Sequence, residues 1–399
     1  MFSLQKLVSM GFSLEKSTNI NKLFKRVGYA AAFTASDLVE NVSIPDNKIF
    51  QIDDVEGLKQ IFKSSTQFYT DIETILVQRG NSDPFQSDIE TVVVYQVTET
   101  KTVESETVLD WATAIDNFIT TNANFGQLVI SSRDVDVIQA VSAKAQSNAR
   151  LFVAQSEDSS LSTDNSSNPA KILGGLNMDN TLIFYHPTTE FMAGGIAGIL
   201  AQYQLGLAGP LFATVTNCTP QNYSSTISNV LESVNVSSYQ YVNPVNGGGV
   251  SEYATPIVYP GKQVTGLDTK RKYIMFSIDL LMKAGAIDFL AGAYNYEDSS
   301  AKILESKLSS ILRECQIGDG LFKRLVKEDA IKSDGTVVRG FEIRVGKPSD
   351  LQDAQPSLYS EQAYPVTGYY RDALTGRKVK INLMVDPSNA TLQAAGFLN

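Results

Sequence analysis

The chain has 399 residues, of which 43% are apolar and 19% charged, enough length and apolar content for two or three domains with their own cores. Its net charge of −10 argues against a general nucleic-acid binder, because neutralising phosphates requires an excess of Lys and Arg. The two cysteines, Cys218 and Cys315, are too few for a disulfide framework and lack metal-ligand spacing, which is typical of a reducing compartment.

Both ends of the chain carry a strand pattern, in which apolar residues alternate with polar ones. The apolar positions are Val8, Met10, Phe12 and Leu14 near the N-terminus and Val379, Ile381, Leu383 and Val385 near the C-terminus. An amphipathic strand leaves a row of backbone N–H and C=O groups that need a neighbour. Each strand either pairs within its own subunit or adds to the sheet of a neighbouring copy, and the pattern alone leaves both alternatives open.

The middle of the chain alternates between strand and helix patterns. Predicted strands cover 92–95, 128–130, 151–153 and 181–185, and predicted helices cover 108–118 and 135–145. Upstream of them, 28–33 has the composition of a core strand, and short helices begin near residues 52 and 65. Strand, helix, strand is the order of parallel strands joined by helical crossovers. We therefore predict a central α/β domain with a parallel-type sheet.

The longest apolar run, 191–212, is nearly long enough to cross a membrane and contains Gly194 and Gly198 in a small-xxx-small arrangement. Gln202 and Pro210 interrupt it, and no basic flank follows. We therefore predict a buried helix that packs closely on a neighbour, and no membrane insertion.

Two segments have the composition of connections. Residues 156–170 are rich in Ser, Asp, Asn and Thr, which bury little apolar surface, and are predicted to form an exposed loop. The glycine-rich stretch 246–249 (NGGG) is predicted to mark a domain boundary.

The last third predicts an α+β arrangement. Asp268 or Thr269 is expected to cap a long helix to about residue 290, and a second helix begins at Ser299 or Ser300. The buried stripe of the second helix is predicted to be Leu304, Leu308, Ile311 and Cys315. Asp334-Gly335 is a strong hairpin signal, and 367–371 with 377–385 form the final predicted strand pair.

The sequence contains no recognisable catalytic motif. Its single histidine, His186, follows a predicted strand and precedes a proline, as a turn residue does. Serine-hydrolase, phosphate-loop and dinucleotide-binding fingerprints are missing from the sequence, and acidic pairs such as Asp53-Asp54 stand where helix N-termini favour negative charge. We predict no catalytic residues, no cofactor and no metal. A soluble α/β enzyme that binds a divalent metal through scattered carboxylates is the alternative, and a deep pocket lined by carboxylates would favour it.

Three basic clusters stand out against the acidic composition. They are Lys270-Arg271-Lys272 in the first turn of the long helix, Lys323-Arg324 with Lys327, and Arg377-Lys378 with Lys380. The helix dipole disfavours cations in a first turn. Each cluster fits either a solvated face or a contact with an anionic protein surface.

Several segments resemble the tail sheath proteins of contractile phages. The similar segments are 255–259 (TPIVY), the long helix from Asp268, the turn 294–299 (YNYEDS), the helix that ends at 318–320 (GDG) and 368–376 (GYYRDALTG) followed by 379–385. Upstream, 52–55 with 68–78 and Pro84 is similar to the family's N-terminal helical region, and 185–187 (YHP) to its central domain. The polar residues Thr375, Arg377 and Lys378 depart from the small apolar run expected there.

The resemblance implies a structural subunit of a contractile tail. Such subunits stack as hexameric rings in a helical sheath around a tail tube, exchange terminal strands and contract to drive the tube through the host envelope. The implied partners are further copies of the chain, the tail tube protein, and the baseplate and tail terminator proteins, without direct contact to nucleic acid. The protein would be assembled in the host cytoplasm and reside in the virion tail.

On this basis we divide the chain into five regions. They are an N-terminal arm (1–27), a helical and strand region packing on the body (28–90), a central α/β outer domain (91–250), a conserved inner domain (251–366) and a C-terminal strand arm (367–399). The eight alternating apolar residues are predicted to add strands between subunits, and Lys323, Arg324 and Lys327 to face the tube. A sheath-like protein of a bacteriocin or secretion-type injection system is the related alternative.

Overall fold

The computed structural model describes residues 23–78, 89–187, 190–202, 210–211, 213–242, 255–292, 294–317, 325–332 and 334–371. It confirms the predicted fold class, a multidomain α/β and α+β protein with a six-stranded, mostly parallel sheet and several smaller sheets.

The first part of the chain supplies the large sheet and the helices around it. Its strands are β1 (Arg26–Ala31), β2 (Ile49–Ile52), β3 (Thr91–Gln96), β4 (Thr100–Val103), β5 (Glu106–Leu109), β6 (Gln127–Ile130), β7 (Leu151–Ser156) and β8 (Thr181–Tyr185). Its helices are α1 (Val55–Ile61), α2 (Gln67–Leu76), α3 (Trp111–Thr121), α4 (Val135–Ser147), α5 (Pro169–Gly175), α6 (Met192–Gln202) and α7 (Ser225–Ser233).

The large sheet has the strand order β2-β3-β1-β6-β7-β8, and every strand except β2 is parallel to its neighbours. The predicted core strand at 28–33 is confirmed as β1, which lies in the middle, between β3 and β6. One sheet therefore takes strands from both of the predicted regions 28–90 and 91–250. The N-terminal region does more than pack on the body, because it supplies a central strand.

Helices cover both faces of this sheet, as a parallel sheet requires. The core on one face includes Ile72 and Ile75 of α2 and Ile196 of α6. The core on the other face includes the predicted stripe of α3, formed by Trp111, Ile115, Phe118 and Ile119.

The predicted buried helix in 191–212 is confirmed as α6, whose residues are all buried. Gly198 permits the close packing of α6 on α2, because a Cβ at this position would overlap the carbonyl oxygen of Ile75. Among the residues that the structure describes, no helix combines the length and the apolar content that crossing a bilayer requires.

Two sequence predictions in this region are wrong. The helix that was predicted to begin at residue 108 begins at Trp111, with Asp110 as its N-cap. The residues before Asp110 form the exposed hairpin β4–β5 instead. Its turn places Glu104 and Ser105 at positive φ, although neither is a usual turn residue for this conformation, so the hairpin signal was missed.

The segment 156–170 is not an exposed loop throughout. Leu161 is fully buried, and so is Asn168, whose Nδ2 donates to the carbonyl groups of Ser160, Leu161 and Thr163. The Oδ1 of Asn168 accepts from the N–H of Ala170 and so caps α5. The side-chain amide of Asn168 thus orders a polar segment that buries little apolar surface of its own.

The last third contains the smaller sheets and the two longest helices. Its elements are β9 (Ser238–Val242), β10 (Thr255–Tyr259), α8 (Thr269–Leu290), α9 (Asp298–Ile317), β11 (Ala330–Ile331), β12 (Val337–Val338), β13 (Phe341–Val345), α10 (Pro348–Ala354), α11 (Pro356–Ser360) and β14 (Val366–Tyr370).

Most local predictions hold in this part. Asp268 caps α8 by accepting from the N–H of Arg271 at 3.2 Å, and β11 pairs with β12 around Asp334-Gly335. The stripe of α9 is buried as predicted, except that Leu312 is fully buried where Ile311 is only partly so. The predicted strand at 367–371 is confirmed as β14, which pairs with β13, whereas its predicted partner 377–385 lies outside the described residues.

Candidate interface at the C-terminal sheet

The residues predicted to exchange strands lie outside the described part of the chain. They are Val8, Met10, Phe12 and Leu14 at one end and Val379, Ile381, Leu383 and Val385 at the other. Lys323 and Arg324 of the predicted tube-facing cluster also lie outside it, and Lys327 is exposed. The described residues do contain the sheet to which the C-terminal segment connects.

This sheet consists of β13 and β14, which run antiparallel. The register pairs Phe341 with Tyr370 and Val345 with Val366. Sheets of two strands are at best marginally stable alone, and this one packs through β13 on α9. On that side the outward N–H of Val345 is paired, because it donates to Glu305 Oε2 at 3.0 Å.

The other edge of the sheet, along β14, is open. The N–H of Arg371 donates to the carbonyl of Gly340 at 2.7 Å, which shows which residues of β14 form the hydrogen-bonded pairs with β13. Because hydrogen-bonded pairs alternate in an antiparallel ladder, Val366 and Gly368 direct their N–H and C=O groups away from β13. Within the described residues these groups have no hydrogen-bond partner.

The side chains of β14 are also exposed. Val366 is 42% exposed and Tyr369 49%. Gly368 lies so close to β13 that a Cβ would overlap the carbonyl oxygen of Glu342, so the strand pair requires glycine here. An open, apolar edge of this kind is a template for a further strand.

A groove of about 510 Å³ lies beside β14. Its floor is the face of α8 that carries Met275, Ile278 and Met282, and Met275 is exposed. Tyr369 and Tyr370 contribute one wall. The remaining lining residues are Gln146, Ala149, Asn180, Lys272, Phe276, Asp279, Leu312, Ile343 and Gly368. The groove is therefore largely apolar, with polar groups where α8 meets the α/β region.

An ion pair holds α8 against the α/β region at this groove. Lys272 Nζ lies 2.8 Å from Asp179 Oδ2, and Gln146 Nε2 donates to Asp179 Oδ1 at 2.8 Å. Two of the three residues of the basic cluster in the first turn of α8 thus fit neither predicted alternative. Lys270 and Lys272 are buried, and Lys272 pairs with a carboxylate of its own chain, whereas Arg271 is exposed.

The carboxyl end of the parallel sheet, where α/β enzymes bind ligands, is filled by a polar network. His186 Nε2 lies 3.2 Å from Glu190 Oε2, and Glu190 accepts from the N–H and the hydroxyl of Thr219, each at 2.6 Å. Arg133 donates to the carbonyl of Glu190 at 3.2 Å. Burial lowers the pKa of His186, while hydrogen bonds from Thr219 lower the pKa of Glu190 against its own burial. These contacts join His186, at the end of β8, to Glu190 and Thr219, while the buried Nδ1 of His186 has no hydrogen-bond partner within the described residues.

The groove and the described residues can be compared with the carboxylate-lined pocket expected of a metal enzyme. The groove beside β14 contains one carboxylate, Asp279, and no group of three or more His, Cys, Asp or Glu side chains in the described ranges could hold a metal ion. Burial raises the pKa of each cysteine, Cys218 and Cys315, to about 12, which keeps the thiols protonated.

A scan against protein-family models finds no match to this chain, and a search of curated proteins finds none that is similar to it.

Proposed function

We propose that the chain is the structural subunit of a contractile tail sheath, which polymerises as stacked rings around a tail tube and contracts to drive the tube through the host envelope. The observation that carries this proposal is the open edge of β14 beside an apolar groove. The resemblance of the last third to sheath proteins supports it, because exchanged strands join the subunits of that family.

The C-terminal pattern fits the groove. In a strand added to β14, Val379, Ile381, Leu383 and Val385 would share one face, and Lys378, Lys380 and Asn382 the other. With the apolar face on α8, each buried aliphatic side chain contributes about 1.5 to 3 kcal/mol. The backbone groups of the added strand would satisfy Val366 and Gly368.

We assign the added strand to a neighbouring copy. Main-chain pairing suits a lattice that changes shape, because backbone hydrogen bonds persist while the connecting segments let rigid bodies rotate. The N-terminal alternation around Phe12 would extend the same sheet further. Lys323, Arg324 and Lys327 remain proposed as tube-facing residues.

Matched substitutions on one predicted strand test this proposal. Ile381→Ser places a polar group on the apolar face and should abolish polymers in electron micrographs, whereas Lys380→Ser on the other face should leave them intact. Removing residues up to Leu14, or all residues beyond Gly376, should likewise leave a folded body that forms no polymers. Cylinders built by the trimmed chains would refute the proposal.

A further inference from the structure

The open edge of β14 has one candidate partner that is covalently attached to it. The chain passes the end of β14 at a fixed point, because the N–H of Arg371 donates to the carbonyl of Gly340 at 2.7 Å and its own carbonyl accepts from the N–H of Lys327 at 2.8 Å. The predicted strand 379–385 follows after the connection 372–378. The segment that could pair with the edge of β14 therefore begins beside that edge.

The hydrogen-bond pattern of β14 limits how the chain can turn back. Val366 and Gly368 direct their backbone groups to the open edge, so every second residue from Val366 onwards is a hydrogen-bonding position on that side. Continued past Arg371, this alternation makes Asp372 the next such position. Because a tight hairpin is closed by a hydrogen-bonded pair, Asp372 would form the closing pair of a hairpin that returns along the open edge.

The residues that follow have the composition of this connection, 372–377 (DALTGR). Asp is favoured at the first position of a type I turn, and hairpin loops of four residues are most often built around that turn. Gly376 would return the chain to the strand, where glycine adopts a positive φ without steric cost. The loop would thus run from Ala373 to Gly376, with Asp372 opposite Arg377.

This loop fixes the register of the returning strand, because opposite residues are counted back from its closing pair. The apolar residues would each stand opposite a residue on one face of β14, Val379 opposite Tyr370, Ile381 opposite Gly368 and Leu383 opposite Val366. Directly opposite residues project on the same face of a sheet.

The face that these pairs share is the one that packs on α8. Tyr370 and Ile343, which is paired with Gly368, both pack on the core that contains Ile278 of α8. Val366 lies on the same face and is exposed, and Leu383 would cover it. A slip of one residue would turn the apolar side chains of the segment to solvent instead.

The polar residues of the segment would lie on the outer face of the sheet. Lys380 would stand opposite the exposed Tyr369, and Lys378 opposite Arg371. The guanidinium of Arg371 donates to the carbonyl of Val338 at 3.4 Å, on the β13 side, and is therefore directed away from Lys378. Both lysines would keep their charges in water.

We propose that in the unassembled subunit the segment 377–385 folds back on β14 of its own chain and covers the groove, and that assembly exchanges it for the same segment of a neighbouring copy. The hydrogen-bond pattern of β14, the loop composition and the buried face agree on one register. A strand from a neighbouring copy has no loop to fit, so the agreement points to the chain's own segment. This inference rests on the proposed function and supplies its regulation.

Tethering explains why the folded-back strand delays assembly. A short connection gives the segment an effective concentration on the order of millimolar at its own edge. In a solution of about 1 μM subunits, identical contacts therefore favour the chain's own segment about a thousandfold over that of another copy. Exchange becomes favourable once further contacts between copies, as at the end of a growing polymer, add to the strand pairing.

An intrachain disulfide tests the folded-back strand. Tyr369→Cys with Lys380→Cys in one chain, oxidised at about 1 μM, should form a bond within single chains, seen as faster migration on a non-reducing gel. Tyr369→Cys with Ile381→Cys, whose side chains would lie on opposite faces, is the matched control and should yield about tenfold less. Equal yields, or no intrachain bond in the first variant, would overturn the inference.

The same disulfide tests the exchange. The oxidised Tyr369→Cys/Lys380→Cys chain should form no polymers in electron micrographs, and reductant should restore them. An oxidised chain that polymerises as readily as the reduced one would overturn the inference. Polymers of the unmodified chain without any intrachain bond in the dilute variant would overturn it and leave the sheath proposal standing. The absence of polymers from the unmodified chain would overturn both.

A turn substitution supplies a readout that leaves the strand itself unchanged. Gly376→Val places a β-branched residue at the position of positive φ, which weakens the hairpin but not a strand added by another copy. The lag before polymerisation, followed by light scattering, should shorten about tenfold or more. Ala373→Val, at a turn position of negative φ, is the control and should keep the lag. An unchanged lag in Gly376→Val would overturn the inference.

Discussion

Lys272 and Asp179 connect the two main parts of the described structure, with 2.8 Å between Nζ and Oδ2. The lysine side chain is 10% exposed and stands over the ring of Phe276, whereas Asp179 is 30% exposed. The pair therefore combines a largely desolvated cation with a carboxylate that Gln146 also binds. It fixes the start of α8, and with it the floor of the groove beside β14.

We expect Lys272→Ala to lower the free energy of unfolding by about 1 to 2 kcal/mol, because it leaves the Asp179 carboxylate with one donor fewer in a partly buried site. Urea unfolding monitored by circular dichroism measures the change. Lys59→Ala, which removes the exposed pair with Glu56, is the matched control and should leave the unfolding midpoint unchanged. Equal midpoints for Lys272→Ala and the unmodified protein would contradict the prediction.

We expect Gly368→Ala to disrupt the pairing of β13 with β14, since the added methyl group would overlap the carbonyl oxygen of Glu342. The α/β region should remain folded because neither of the cores on its sheet includes a residue of β13 or β14. Sedimentation velocity should therefore show folded protein that no longer polymerises. Gly175→Ala is the control, as no heavy atom lies within 4 Å of the added Cβ. Normal polymers from Gly368→Ala would show that this strand pair is not needed for assembly.

The single histidine gives the protein a specific pH dependence. Burial lowers the pKa of His186 in the folded state, so below the unfolded pKa of about 6.5 the unfolded chain binds the proton more readily. The free energy of unfolding should therefore decrease as the pH drops below 6.5. The contribution of His186 to this decrease should end once the pH is below the pKa of His186 in the folded state. Urea unfolding between pH 8 and pH 5 should show a smaller loss for His186→Asn. Identical pH profiles for the two proteins would assign the loss to carboxylates instead.

The cysteines should be almost inert in the folded protein. Burial is the main cause that raises the pKa of Cys218 and of Cys315 to about 12, with further contributions from Glu190 and Glu314 respectively. At pH 8 the thiolate fraction is then on the order of a thousandfold smaller than for a free thiol. A chromogenic disulfide should label both residues slowly in buffer and rapidly in urea. Fast labelling in buffer would contradict the raised pKa of these thiols, of which Cys315 is buried and Cys218 partly buried.

The sequence by itself determined the elements whose signals are local. The start of α8 at a cap of Asp268 or Thr269, the hairpin at Asp334-Gly335 and the apolar stripe of α3 were predicted because a few neighbouring residues decide each one. The alternation of strands and helices likewise predicted a parallel-type sheet.

The tertiary structure alone decided which distant segments meet. Strand periodicity does not encode strand order, so the position of β1 between β3 and β6 was not predictable from pattern. The charges of Lys270 and Lys272 suggested a solvent-exposed surface, yet the packing of α8 buries both side chains. Lys272 is stabilised there by an ion pair with Asp179, which is distant in the sequence. The open edge of β14 depends in the same way on β13 occupying its other side. Local patterns report the preferences of neighbouring residues, whereas partners across the fold are chosen by packing and by the satisfaction of buried polar groups.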